Sequence, residues 1–488
     1  MKIQQTPAST RSVRLLVLLP VIILISSFLR AQGQPLSPNV TPEVPVANAV
    51  LPANMPLNWG QEPVTVVSST RGQISLKGLW RFVPAEGPTA KDPQAGWGYI
   101  RVPGNWKSND DLVARGQGRM WQNFNGDQLN QAWYERTIKI PNDWEGRAIL
   151  LDFQRVSTDA EVFVNGKSAG QIRWPGGTVD ITPHVQAGQE ANLRLRVIAV
   201  DDRSQVEVYM GYLQTEMKPA TLDNKGIIGD VNLLSRPRGG HVYDVLVKPS
   251  TRQKKLDVDI ELGEVTQAGT VALTAQMLDE TGKVEQTFSQ NLPVQVAGMQ
   301  KITASWNWPN PRLWDVGQPH KYTMQLDVKG AGINDQYRQE FGFREFWIEG
   351  KKLFLNNSEF RLRPGVVQYG ARPSQRMAQG HNFAEIWPER NTRRGSRNND
   401  DELIADAEKV GMPISANTIF MADFLGKGWE TPEVKADYRR QMEMTVRRWR
   451  NKPSILMWGT SGNALGVSTG DSDPWTIGLP EINDVQEQ

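Results

Sequence analysis

The side chains able to do chemistry are few, and their spacing excludes more than it suggests. The chain has no cysteine, which removes disulfides, thiolate nucleophiles, iron–sulfur clusters and cysteine-ligated zinc together. Its four histidines, His184, His241, His320 and His381, stand alone in sequence, so no HExxH or HxxxH helix face presents two imidazoles to a metal. They are expected as surface or packing residues, and neither a metal nor a cofactor is implied. Gly466-Val467-Ser468-Thr469-Gly470 matches the G-x-S-x-G of a nucleophile elbow, but Asp471-Ser472-Asp473-Pro474 follows as a loop where that motif needs a helix. The match is expected to be chance. Arg390, Arg393, Arg394 and Arg397 crowd a polar stretch after Pro388. They read as a solvated loop, with a guanidinium clamp for a carboxylate or sulfate as the sharper alternative. Asp127, Glu135 and Asp159 are expected as surface or turn carboxylates.

Composition narrows the partners. The 17 tryptophans are many for this length; indole stacks on apolar faces, including the C–H faces of sugars, so they hint at carbohydrate contact beside their main use in cores. With 55 basic against 53 acidic side chains the net charge is +2, so nucleic acid and an anionic membrane surface are not expected partners. A chain of 488 residues at 39% apolar and 22% charged is globular, with room for about three domains.

The elements that position any site follow from periodicity. Lys2, Arg11 and Arg14 precede an apolar run over residues 15–29, a charged region followed by a hydrophobic one, as in an export signal. The run is shorter than the roughly 20 residues a spanning helix needs, which favours cleavage; Leu29, near the expected cut after Ala31, leaves an uncleaved tether as the alternative. Residues 1–33 are therefore read as signal or anchor and 34–59 as a proline-rich linker. From Val64 to Arg236 the chain reads as short alternating strands, among them Ile74 to Leu79, Trp133 to Ile140, Ala148 to Phe153, Ala160 to Val164 and Leu193 to Val200. Asn165-Gly166 supplies the positive φ angles of a type I′ hairpin. A second set of about seven strands, including His241 to Val247, Leu256 to Leu262, Val271 to Leu278 and Tyr322 to Val328, fits an immunoglobulin-like sandwich. Past residue 360 the rhythm changes. Asp400 to Gly411 has helix start and stop signals, Pro413 to Phe420 reads as a strand, and Thr431-Pro432-Glu433 opens a second helix with Tyr438, Met442, Thr445, Val446 and Trp449 inward. Ser454 to Trp458 follows as a strand covered on both faces, and alternating helix and strand in this order predicts a parallel sheet.

Three ordered stretches carry a resemblance. Leu76 to Phe82 with Val102-Pro103-Gly104-Asn105-Trp106 opens the first sandwich, and Phe163-Val164-Asn165-Gly166-Lys167 lies in its middle. Trp308 to Trp314 precedes Phe341-Gly342-Phe343-Arg344-Glu345-Phe346, and Arg450 to Trp458 runs into Gly462-Asn463. From about residue 64 onward the chain resembles glycoside hydrolase family 2, the β-galactosidase and β-glucuronidase group. The resemblance implies a multidomain fold: a sugar-binding jelly-roll β-sandwich over 60–238, an immunoglobulin-like β-sandwich over 239–347, and an incomplete (β/α)8 barrel, the N-terminal half of a TIM barrel, over 348–488. It also implies retaining hydrolysis of β-glycosides by two glutamates roughly 5 to 5.5 Å apart.

The residues depart from that pattern. The family's Asn-Glu pair binds the sugar 2-hydroxyl through Asn and donates the proton through Glu, whereas here Asn463 is followed by Ala464, and a methyl group carries no proton. Asn463 and Trp458 are the implied substrate-binding residues, and no catalytic residue is assigned. The His and Arg that the family brings from its first two barrel strands do not fall in place around Arg363-Pro364-Gly365 or Gly380-His381-Asn382-Phe383-Ala384-Glu385. Asp471, Asp473 and Glu481 would offer only a displaced acid in a polar loop. The chain stops at Gln488, so the expectation is a half barrel without the nucleophile, inactive alone, behind a stable two-sandwich front. Two readings stand: an exported β-glycosidase, periplasmic or extracellular and either free or tethered by residues 15–29, and a non-catalytic carbohydrate-binding or vestigial protein. Unpaired barrel edges would favour self-association, so an oligomer is compatible with both.

Overall fold

The computed structural model of the chain describes residues 65–85, 92–94, 97–106, 126, 128–199, 204–209, 212–219, 224–367, 371–386, 400–417 and 432–459. The first of its units is a β-sandwich. A five-stranded antiparallel sheet contains Gly72–Ser75, Val231–Pro237, Arg147–Phe153 and Gly177–Asp180; a six-stranded one contains Gly78–Pro84, Gln131–Lys139, Glu190–Ile198, Asp159–Val164 and Lys167–Arg173. Glu190–Ile198 shows why: every second side chain is buried, and the period of two turns Leu193, Leu195 and Val197 toward Leu151, Phe153 and Leu233 of the opposite sheet. Burying that apolar area against the other sheet, rather than any strand's own propensity, stabilises the pair. The hairpin after Val164 turns through Asn165 and Gly166, whose φ angles of 50° and 76° are those a type I′ turn requires. The predicted strand Leu193 to Val200 begins earlier, at Glu190, and its last described paired residue is Ile198.

The second unit sets a three-stranded sheet, His241–Ser250, Lys255–Val265 and Ala297–Asn307, against a four-stranded one, Val284–Val294, Gly269–Leu278, Tyr322–Gly330 and Ile333–Phe341. Its core runs through Val258, Ile260, Leu273, Met277 and Leu326. Trp308 closes one end, packed on Tyr322 and edge-on to Phe343. The two sandwiches are joined by a buried carboxylate. Asp335 accepts hydrogen bonds from Arg71 Nε at 3.1 Å, Thr70 Oγ1 at 2.7 Å and the Val242 amide at 2.9 Å.

Beyond them lies the predicted parallel sheet, with strands Pro364–Val367, Phe383–Ile386, Ile414–Asn417 and Ile455–Gly459 paired in chain order. Helices Pro373–Ala378, Asp400–Val410 and Pro432–Trp449 occupy the crossovers. Gly411, at φ +67°, ends the second helix as its sequence position predicts; a Cβ there would meet the Asp315 carbonyl at 2.8 Å, so both the turn and the close approach require glycine. The strand expected over Pro413 to Phe420 is described as Ile414–Asn417, and residues 418–420 lie outside the described set. On the last helix Met442 and Trp449 are buried as expected, Thr445 and Val446 are half-buried, and Tyr438's side chain is outside the described residues. Gln441 is buried instead, its amide donating to Asp437 at 2.8 Å, which is how a polar residue is accommodated on that face.

Candidate functional site

The parallel sheet has two unlike faces, and alternation along each strand sorts its residues between them. Ala384, Ile386, Ile414, Ala416, Val367 and Ile455 share one core with Leu403, Ile404 and Trp449 of the helices. On the opposite face Phe383 packs with Leu355 and Phe360, from the segment around the Phe346–Glu349 and Lys352–Leu355 hairpin, and Leu456 and Met457 pack beside them. This apolar plug closes the inner face below. One step toward the strands' carboxyl ends, the backbone register aligns Val366, Glu385, Ser415 and Met457 in a single row across all four strands. Glu385 follows Phe383 by two residues and Ser415 lies between Ile414 and Ala416, so both belong to this inner row. Ligands of parallel α/β sheets bind beyond the carboxyl ends of the strands, which makes this edge the candidate site.

The strand ending in Gly459 is held from outside the sheet. Arg344, half-buried, donates to the Pro453 carbonyl at 3.0 Å and to the Ile455 carbonyl. Enclosure of its guanidinium, with no carboxylate partner among the described residues, pushes its pKa down to about 10. Asn451 accepts from the Val247 amide at 2.9 Å and donates to the Val245 carbonyl at 2.7 Å. Arg447 reaches Asp244 at 3.0 Å and Glu261 at 2.8 Å, and Arg450 reaches Asp244 at 2.7 Å. The second sandwich thus fixes both the last helix and the start of the last strand. The first sandwich contributes carbonyls: Arg448 donates to Gln154 at 3.0 Å and Arg440 to Trp174.

The residues singled out in the sequence are distributed unevenly about this edge. Trp458 is half-buried at the end of the last strand and packs on the helix-side core. Asn463 and Ala464, the Gly466 to Gly470 motif, Arg390, Arg393, Arg394 and Arg397, Asp471, Asp473, Glu481 and Asp127 lie outside the described residues. His241 is buried against the Gly239 carbonyl at 2.7 Å, and burial lowers its pKa; His320 is 3.4 Å from Glu280. Among the described residues no cluster of three or more metal-ligating side chains forms. Glu135 corrects an expectation: it is no surface carboxylate but is almost fully buried on Gln131–Lys139, clamped by Arg81 and Arg194, over which Trp97 lies. Asp159 is half-buried on a strand, not in a turn, and accepts from Thr158 Oγ1 at 2.8 Å. Ser415 was not singled out, and Glu385 only as part of a stretch lacking the expected types; the period-two alternation around Phe383 was the signal that would have placed it.

Known proteins extend the comparison. The profile of the family described as Glycosyl hydrolases family 2 matches residues 240–344, the second sandwich. A β-glucuronidase of Formosa agariphila is 23% identical over 324 residues, 60% of this chain and 32% of that protein. A β-galactosidase of Bacteroides ovatus is 23% identical over 448 residues, 85% of this chain and 49% of that protein. The chain therefore spans between a third and a half of the length of these relatives. Among solved structures, a glycosyl hydrolase family 2 member from Bacteroides cellulosilyticus superposes with a TM-score of 0.63 at 17% identity, covering 85% of this chain and 56% of that one. Bacteroides uniformis β-glucuronidase 2 gives a TM-score of 0.58 at 18% identity, covering 86% and 51%. A family profile seated on the middle sandwich, with relatives and folds that run through the units described above, makes glycosyl hydrolase family 2 the family this chain is similar to.

Proposed function

We propose that this chain takes β-glycosides at the carboxyl ends of its parallel strands and holds them without cleaving the glycosidic bond. The observation that carries the reading is the pair Asn463-Ala464, reached directly from the strand Ile455–Gly459. At the position where the family resemblance calls for a proton donor, a methyl group stands, while the amide suited to a sugar hydroxyl is kept. Retaining hydrolysis needs an acid to protonate the leaving oxygen, so loss of that group removes the step more thoroughly than it removes binding. In this reading the first sandwich is a jelly roll over 60–238, the second is immunoglobulin-like over 239–347, and the parallel sheet over 348–488 is built as the first half of a (β/α)8 barrel. Residues 1–33 act as an export signal or tether, which sets the protein among extracellular or periplasmic glycans. Calorimetric titration with phenyl β-galactoside and phenyl β-glucuronide, beside a turnover assay on their 4-nitrophenyl counterparts, tests the proposal. Saturable binding with no release of nitrophenol is expected; turnover would make the chain a hydrolase, and the absence of any binding would remove carbohydrate as its ligand.

A further inference from the structure

Glu408 is a carboxylate enclosed where the second sandwich meets the parallel sheet. Four residues after Ile404 and one after Ala407, it lies on the inward side of the helix Asp400–Val410, and only 3% of it is exposed. Just past it the chain touches the sandwich: the Gly317 amide donates to the Gly411 carbonyl at 3.0 Å, and a Cβ on Gly342 would meet Pro453 at 2.5 Å. The charged groups facing Glu408 come from three other segments. Lys452, between the last helix and the last strand, brings its Nζ to 3.3 Å from Oε2, and Lys321, at the entry to Tyr322–Gly330, stands 3.8 Å from the same oxygen. Glu340, on Ile333–Phe341, is 3.3 Å from Lys321. Both lysines are partly open to water, Lys321 is divided between two carboxylates, and Oε1 of Glu408 has no hydrogen-bond partner among the described residues. Enclosure without full compensation disfavours the ionised form. Burial accordingly pushes the carboxyl above its ordinary value, against the pull of Lys452 and Lys321 and with the push of Glu340.

We propose that Glu408 is a proton-operated latch between the second sandwich and the parallel sheet, closed more firmly when its carboxyl carries a proton. The latch is independent of what the sheet binds. Opening the seam returns the carboxyl to water and to its ordinary pKa, so closing takes up a proton wherever the pH lies between that value and the raised one. The added hold is complete below about pH 4 and is lost as pH rises through the raised value. Amide hydrogen exchange of the helix Asp400–Val410 in the full chain tests this, with each variant compared with the parent at the same pH so that intrinsic exchange rates cancel. Glu408→Gln, which imitates the protonated form, should protect the helix about tenfold more than the parent at pH 8 and nearly equally at pH 4. His320, 3.4 Å from Glu280, is present in both proteins and cancels in the comparison. Where Glu408→Gln melts early, Lys452→Met decides: it takes the nearer cation from the ionised carboxylate and should lower protection severalfold at pH 8 while leaving it unchanged at pH 4. A Glu408→Gln helix no better protected than the parent at pH 8, or a gain equally large at pH 4, overturns the latch. So does a Lys452→Met helix whose protection is unchanged at pH 8 or falls alike at both pH values.

Discussion

Asp335 is a carboxylate buried where the two sandwiches meet, and its surroundings decide what it does. Burial alone would raise its pKa, but the hydrogen bond and charge of Arg71, with the donors on Thr70 and Val242, outweigh that and hold it below the ordinary value. A carboxylate depressed in the folded state adds stability above its unfolded pKa of about 3.9, and that increment is lost as pH falls through the folded value. Asp335→Ala should therefore cost about 3 to 5 kcal/mol at pH 7, because it strands Arg71 against the Val242 carbonyl. The gap between variant and parent should shrink below about pH 4, as denaturant melts at a series of pH values would record. Glu135 shows the limit of reading single residues from sequence. Alternation along its strand correctly turns it away from the inter-sheet core, toward a face that usually meets water. That face is covered here by Trp97, with Arg81 and Arg194 beside it, and a covering segment from elsewhere in the chain leaves no periodic trace at residue 135.

Among the elements, the helix Pro432–Trp449 carries the clearest division between local and distant information. Its start at Pro432 and its stop before Pro453 are local chemistry and were legible, as were Met442 and Trp449 on its inner side. Its partners were not. Arg447 and Arg450 meet Asp244 and Glu261 of the second sandwich, close to two hundred residues away, and nothing in the helix's own pattern names them. The helix consequently acts as a cross-tie rather than as a cover for the sheet alone. Arg450→Ala should cost about 1 to 3 kcal/mol by leaving Asp244 and Glu261 under-compensated. A double-mutant cycle with Asp244→Ala should show clear non-additivity, since the two groups touch. Additive effects in that cycle would mean that the contact contributes nothing.

For the molecule as a whole these ties replace the expectation of a self-sufficient front with a loose C-terminal third. The parallel sheet has a buried core of its own, and the second sandwich reaches into it through Arg344 and Asn451. A chain ending at residue 347 should accordingly melt several degrees below the full chain, because Arg344, Asp244 and Glu261 lose every partner they find beyond that point. An unchanged melting temperature would show that the front is independent after all. The order of sandwich, sandwich and parallel sheet was legible because periods of two and 3.6 residues distinguish strand from helix without tertiary information. The facing of Trp458, toward the helix-side core, was not, because it depends on the register of one strand against its neighbour and on the irregularity between Ile414 and Ser415.

The most direct measurement is a crystal structure of the full chain soaked with a β-galactoside. The account predicts an intact glycoside at the carboxyl ends of the parallel strands. A sugar bound instead on either sandwich, with those strand ends empty, or a cleaved product in the site, would contradict it.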